Sequence, residues 1–246
     1  MTLAVDEIKA CCATAYSSAA ARFLLGDCFH PGGAALTSRL AIALRVGPGD
    51  LVVDVACGPG TSARQLARET GCHVLGIDLA QPPGSDDARV RFLRGDAEAL
   101  PLDDASVDGA LCECALCTFP NKTAAAAELA RVLRPGARLA LSDLTARREQ
   151  LPESLTTLQA WVACVADARP LEEIVVLLER AGLLVEQTET HDDALSALLD
   201  RIEARLQVAA MLAPEAAVRG PELLLELRRA LDRGVIGYDV VIAHRP

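Results

Sequence analysis

Four cysteines in the central part of the chain, Cys112, Cys114, Cys117 and Cys164, are the residues whose type most narrows the chemistry. Thiolates are nucleophiles and ligands for soft, thiophilic centres. A second set is acidic: Asp54, Asp78 and Asp96 each follow a short apolar run, and Gly58-Pro59-Gly60 follows the first of them. A glycine turn lets a ligand's polar groups approach bare backbone. A carboxylate at the end of a second strand accepts both hydroxyls of a ribose, and one at the end of a third can meet the amino group of an adenine. Three such sites at successive strand ends fit one extended nucleoside lying across a sheet.

The elements needed to hold these groups are written in the apolar pattern. Asp50–Val55 is a β-branched run bounded by Gly47-Pro48-Gly49 and Gly58-Pro59-Gly60, which predicts a buried parallel strand. Thr61–Thr70 places Ala63, Leu66 and Ala67 on one helical face and stops at Gly71. His73–Asp78, Val90–Arg94, Val107–Cys112 and Ala137–Ser142 read as further strands, with a helix over Lys122–Leu133 closed by Arg134-Pro135-Gly136. Helices are expected over Asp6–Leu25, Glu153–Ala166 and Leu171–Ala181, strands over Leu183–Thr188 and Ile236–Ala243, and helices between about 193 and 234 as an insertion covering the acceptor pocket. Alternating strands and helices predict an α/β fold with a doubly wound, mostly parallel seven-stranded sheet, Rossmann-like, and a helical insertion before the last strand. One domain is expected: a helical cap over 1–45, a core over 46–190, and the insertion with the final strand over 191–246.

Composition narrows the partners. The net charge of -10, with no run rich in lysine or arginine, repels phosphate backbones and anionic lipid, which argues against nucleic acid and membrane partners. The first ten residues carry Asp6 and Glu7 before any apolar run, and nine cysteines in a chain of 246 are too sparse for a disulfide scaffold. A cytoplasmic chain with reduced thiols is the expectation, and the oligomeric state is left open.

Asp54-Val55-Ala56-Cys57-Gly58-Pro59-Gly60, Gly76-Ile77-Asp78, Gly95-Asp96-Ala97-Glu98 and Arg131-Val132-Leu133-Arg134-Pro135-Gly136 together resemble the class I S-adenosylmethionine-dependent methyltransferases. The resemblance implies S-adenosylmethionine as cofactor, with Asp54, Ala56, Gly58, Gly60 and Glu113 around its methionine end. It places Asp78 and Leu79 at the ribose, and Asp96 and Ala97 at the adenine. Ala56 stands where that family has its first glycine, which narrows the pocket, and Pro82-Pro83-Gly84 forbids an ordinary crossover helix after Asp78. A nicotinamide dehydrogenase is the rival for the turn, but its third glycine is Ala63 here and no hydride-transfer site accompanies it.

Glu113-Cys114, Pro120-Asn121-Lys122 and Trp161-Val162-Ala163-Cys164 also resemble the arsenite methyltransferases. That resemblance implies Cys114 and Cys164 as thiol ligands of a metalloid substrate such as trivalent arsenic, aided by Cys11, Cys12 or Cys28. Cys112 and Cys114 share a face if the fourth strand continues that far, and Cys164 is expected on a helix. If the acceptor is instead a small organic molecule carrying a proton, Glu113, His30 or His191 can accept it. His191-Asp192-Asp193 also reads as a helix cap and His30-Pro31-Gly32-Gly33 as a plain loop. Structural zinc at Cys112-x-Cys114-x-x-Cys117 and a non-catalytic, metalloid-binding protein are further alternatives.

Overall fold

Val52, Val53 and Val55 are stiff at χ1 and bury on alternate faces, which suits Leu51–Val55 (β1) to the centre of a sheet covered on both sides. The computed structural model describes residues 5–80, 84, 87–157, 160, 163–212 and 220–246. The remaining strands are His73–Asp78 (β2), Val90–Arg94 (β3), Val107–Glu113 (β4), Leu133–Ala146 (β5), Leu184–Thr190 (β6) and Ile236–His244 (β7). They form one seven-stranded sheet in the order β3-β2-β1-β4-β5-β7-β6. Pairing is parallel from β3 through β5, while β7 runs antiparallel to both of its neighbours. The mostly parallel, doubly wound sheet expected from the pattern is what forms, made mixed by β7.

Helices Val5–Tyr16 (α1), Ala19–Leu25 (α2), Gly33–Leu44 (α3), Thr61–Thr70 (α4), Lys122–Val132 (α5), Leu171–Arg180 (α6), Asp192–Leu212 (α7) and Gly220–Asp232 (α8) cover the faces. One apolar core joins α3, α4, α7 and α8 to the sheet through Leu40, Leu66, Leu199 and Leu224. The other joins α5 and α6 through Leu129 and Leu178. None of these helices, among the described residues, is long and apolar enough to cross a membrane.

The departures from expectation have local causes. The helix expected over Asp6–Leu25 breaks at Ser17-Ser18: the Ser17 hydroxyl donates back to the Ala13 carbonyl, and Ser18 Oγ accepts the Ala21 N–H at 3.0 Å, capping a new helix. The strand expected over Ala137–Ser142 runs from Leu133 to Ala146, because β7 pairs with it as far as Ala146 opposite Ile236. The helix expected over Glu153–Ala166 is not continuous. Glu153–Leu155 forms one 3-10 turn, and Cys164 has φ 67°, a left-handed value that no helix tolerates in its interior. Trp161, Val162, Pro82 and Pro83, each given weight in the sequence, lie outside the described residues.

The seam between β5 and β7 is pinned by the Tyr238 hydroxyl, which donates to Ser142 Oγ at 2.9 Å with both residues fully buried. Tyr238→Phe removes the donor and leaves the serine oxygen without it, so stability is expected to fall by about 1 kcal/mol. Urea unfolding of the two proteins reads this directly, and equal midpoints would show that the bond contributes nothing net.

Candidate functional site

Strand order reverses between β1 and β4, so the loops leaving their carboxyl ends diverge and open a crevice. A cavity lies there, and Asp54, Asp78, Asp96 and Glu113 line it from β1, β2, the turn after β3, and β4. Asp54 is the deepest of the four. It is 2% exposed, its Oδ2 has no hydrogen-bond partner, and burial together with repulsion from Glu113 pushes its carboxyl well above the usual range.

The group that offsets this acidity is His30, whose neighbours Pro31-Gly32-Gly33 made it read as a plain loop residue. His30 is buried, its Nε2 lies 3.6 Å from Glu113 Oε2, and its Nδ1 lies 3.0 Å from the Pro31 carbonyl, an N–H donor there in the imidazolium. Burial opposes a charge on the ring, but the Glu113 carboxylate and hydrogen bonds to Cys28 and Pro31 outweigh it and lift the imidazole to about 9. Thr37 of α3 donates to Glu113 Oε1 at 3.0 Å, and Ser62 at the start of α4 stands 3.5 Å from His30 Nε2. His191, the other histidine considered as a base, does not line this cavity: it pairs with Glu189, and its carbonyl accepts from the first turn of α7.

The glycine turn is shaped by what packs on it. Gly58 lines the cavity and donates its N–H to Asp78 Oδ2 at 2.8 Å, while the Ala80 N–H donates to Asp78 Oδ1 at 2.8 Å, so the carboxylate is fixed at the rim. Gly60, expected at the methionine end, sits between Pro59 and Thr61, which line the cavity. It does not line the cavity, and a Cβ there would stand 2.3 Å from the Phe92 ring, so glycine is required for packing as well as for φ 73°. Ala56 lines the cavity and carries φ 58°, a conformation suited to the glycine it replaces.

Leu79 and Ala97 line the opposite end, beside Asp96. There α1 closes over the rim: Lys9 donates to Asp96 Oδ2 at 2.7 Å and to Glu98 Oε2 at 2.6 Å. The sequence held no sign of this contact, since Lys9 and Asp96 are separated by 87 positions.

The thiols gather differently from the expectation. β4 stops at Glu113, and Cys114 has φ 53°, so Cys114 leaves the face on which Cys112 packs, fully buried, against α5. Cys114 Sγ instead lies 3.9 Å from Cys164 Sγ, and the Tyr16 hydroxyl of α1 lies 3.1 Å from the same Cys164 sulfur. Cys117 stands close to this pair, and the Cys114 and Cys117 thiols hold the Cys164 thiol well below its ordinary range. Cys12 and Cys28 line the cavity at other points, and Cys11 is exposed. Among the described residues no group of three or more histidine, cysteine or acidic side chains is arranged to hold a metal ion.

Two outcomes follow from these positions. A group whose folded pKa is raised stabilises the fold below its ordinary value and loses that contribution as the pH rises. His30 therefore contributes fully below about 6.5 and loses its contribution as the pH passes about 9. Stability measured by urea unfolding should decline across that window, and His30→Gln should flatten the decline; an unchanged slope would mean that the ring is neutral. Ala56→Gly relieves the left-handed φ and should raise stability by about 0.5 to 1 kcal/mol after the cost of glycine in the unfolded chain. A loss of stability on the same measurement would show that the alanine is unstrained.

Comparison with known proteins agrees with this arrangement. Residues 53–141 match a family model described as a methyltransferase domain. The chain is 35% identical over 181 residues to Methyltransferase GfsG of Streptomyces halstedii, covering 68% of this chain and 64% of that protein. It is 29% identical over 170 residues to the arsenite methyltransferase of Halobacterium salinarum, covering 62% of this chain and 42% of that one. It thus spans less than two thirds of the length of either relative. Among solved structures, the [4+2]-cyclase SpnF superposes with TM-score 0.77 at 19% identity, covering 100% of this chain and 97% of that one. That last likeness concerns the fold alone. With the strand-end acids, the glycine turn and the matched domain in place, residues 53–141 carry a methyltransferase domain, and the chain is similar to the class I S-adenosylmethionine-dependent methyltransferases.

Proposed function

We propose that this chain transfers a methyl group from S-adenosylmethionine to a small molecule. The observation that carries the reading is the cavity at the switch point, where a buried carboxylate oxygen, Asp54 Oδ2, lacks a partner and an imidazole lifted to about 9 stands nearby. A ligand end bearing both an ammonium and a carboxylate fits that pair of charges. Asp54 and Glu113 would take the ammonium, His30 and the first turn of α4 the carboxylate, Asp78 the ribose hydroxyls, and Asp96 with Leu79 and Ala97 the adenine end. When bound, the cofactor supplies an electrophilic methyl on a sulfonium sulfur. The residues of the chain position an acceptor against it and keep water away, which is the larger part of catalysis for such a displacement. For an acceptor carrying a proton, Cys164 is the assigned proton acceptor, because its thiol is depressed and it stands beside Tyr16 and Cys114.

A second reading rests on the 3.9 Å separation of the Cys114 and Cys164 sulfurs. Two thiolates at that spacing can hold one soft centre, and trivalent arsenic needs no base because its nucleophilic lone pair carries no proton. Intact Asp54, Gly58 and Asp78 around the cavity favour a catalyst over a protein that only sequesters a metalloid.

Incubation with labelled S-adenosylmethionine and a panel of arsenite, selenite, mercuric ion and small organic hydroxyls and thiols, under thiol reductant, tests both. Asp78→Ala should weaken cofactor binding by about 1 to 3 kcal/mol, and unchanged affinity by calorimetry would remove Asp78 from the site. Cys114→Ser and Cys164→Ser should abolish metalloid methylation while leaving cofactor affinity intact. Methylation of arsenite by both variants at wild-type rates would end the second reading.

A further inference from the structure

A second cavity lies between the α1–α2 pair and the α7–α8 pair. Leu24 of α2, Leu195, Leu199 and Ile202 of α7, and Leu224 and Leu227 of α8 form much of its wall. None of the described lining residues is an aspartate, glutamate, lysine, arginine or histidine. Its polar side chains are Ser18, Tyr16 and the thiols of Cys114 and Cys164, and the Ser18 hydroxyl is already spent capping α2. Polarity is therefore concentrated at one end. That end is shared: Tyr16, Phe29 and Cys114 line both this chamber and the cavity at the switch point.

We infer that this chamber binds an uncharged organic acceptor with an apolar body, whose reacting atom is presented to the methyl donor beside Tyr16 and Cys114. The inference rests on the methyltransferase reading and names its substrate class. A phosphate or carboxylate group in the chamber would be desolvated with no cation among the described lining residues to receive it. An inorganic ion at the thiols would fill only the polar end and leave the aliphatic wall without an occupant. An apolar molecule buries that wall and brings its polar atom to the tyrosine and the thiols, the one place where hydrogen bonding is offered. If that atom bears a proton, the bond to hydrogen breaks as the bond to the methyl carbon forms. The proton passes to the Cys164 sulfur, and the carbon–sulfur bond electrons stay with the departing thioether.

N-phenyl-1-naphthylamine, an uncharged apolar fluorophore, is the probe, and 1-anilinonaphthalene-8-sulfonate is its anionic counterpart. The full chain should bind the neutral dye about tenfold or more tightly than the sulfonate, in the presence of saturating S-adenosylhomocysteine. Ile202→Trp and Leu227→Trp, which fill the chamber from its partly exposed wall, should each weaken the neutral dye about tenfold. Leu225→Trp, on the exposed side of α8, should not. Absence of neutral-dye binding, equal binding of the two dyes, or wild-type affinity in both filled variants overturns the inference. Calorimetry with S-adenosylhomocysteine reads the cofactor assignment separately. Binding there at wild-type strength in the tryptophan variants confirms that they are folded and, if the dye still fails, leaves the methyltransferase reading standing. No binding to the wild-type chain overturns that reading and the inference with it.

Discussion

The carboxylate of Asp54 is buried at the carboxyl end of the central strand with one oxygen unpartnered, and the surrounding structure answers to that. An ionised carboxylate in such a place is costly unless a cation or several donors meet it. The parallel sheet leaves no choice about location: Asp54 is in register with Gly76 on β2 and with Leu111 on β4, so it is walled by strands on both sides. Glu113, next along the same crevice, makes the problem worse, and His30, which pairs with Glu113 and also attracts Asp54, offsets it only in part. The site thus carries more acid than base, and a ligand that brings positive charge is favoured by the same electrostatics that disfavour an ionised Asp54.

Much of this arrangement was legible in the residues themselves. β2, β3 and α4 begin and end where the apolar runs and glycines predict, because β-branched residues, alternation and left-handed caps act locally. The acids at strand ends follow from the same reading. What was not legible depends on contacts far apart in sequence. A leucine stripe on α7 looks the same whether a core or a ligand covers it, so the chamber it lines has no signature. His30 was obscured by the breakers beside it, and Cys117, visible as one of a cluster, carried no sign that it would stand with Cys114 and Cys164. The helix expected through Cys164 failed because a single left-handed residue redirects the chain, and nothing in cysteine's chemistry announces that.

Backbone strain is gathered around the two cavities. Of the non-glycine residues described with left-handed φ, Ala56, Cys114 and Cys164 stand at their walls. Such residues cost about 1 to 3 kcal/mol each and persist where the surroundings hold them. At Cys114 the holding is visible, since its N–H donates to the Ser142 carbonyl at 2.7 Å just as the strand is left behind. The turn there aims one thiol at another across 50 positions of chain. An extended residue would have carried that sulfur onto the sheet, into the packing that already holds Cys112.

Helix α1 is fastened at two points beside the cavities. Lys9, in its second turn, grips Asp96 and the neighbouring Glu98, and Tyr16 meets Cys164 about two turns further along. Both fastenings sit on one helix of twelve residues, so a displacement of α1 large enough to break one contact would strain the other, and the two cavities are tied to each other through a single element.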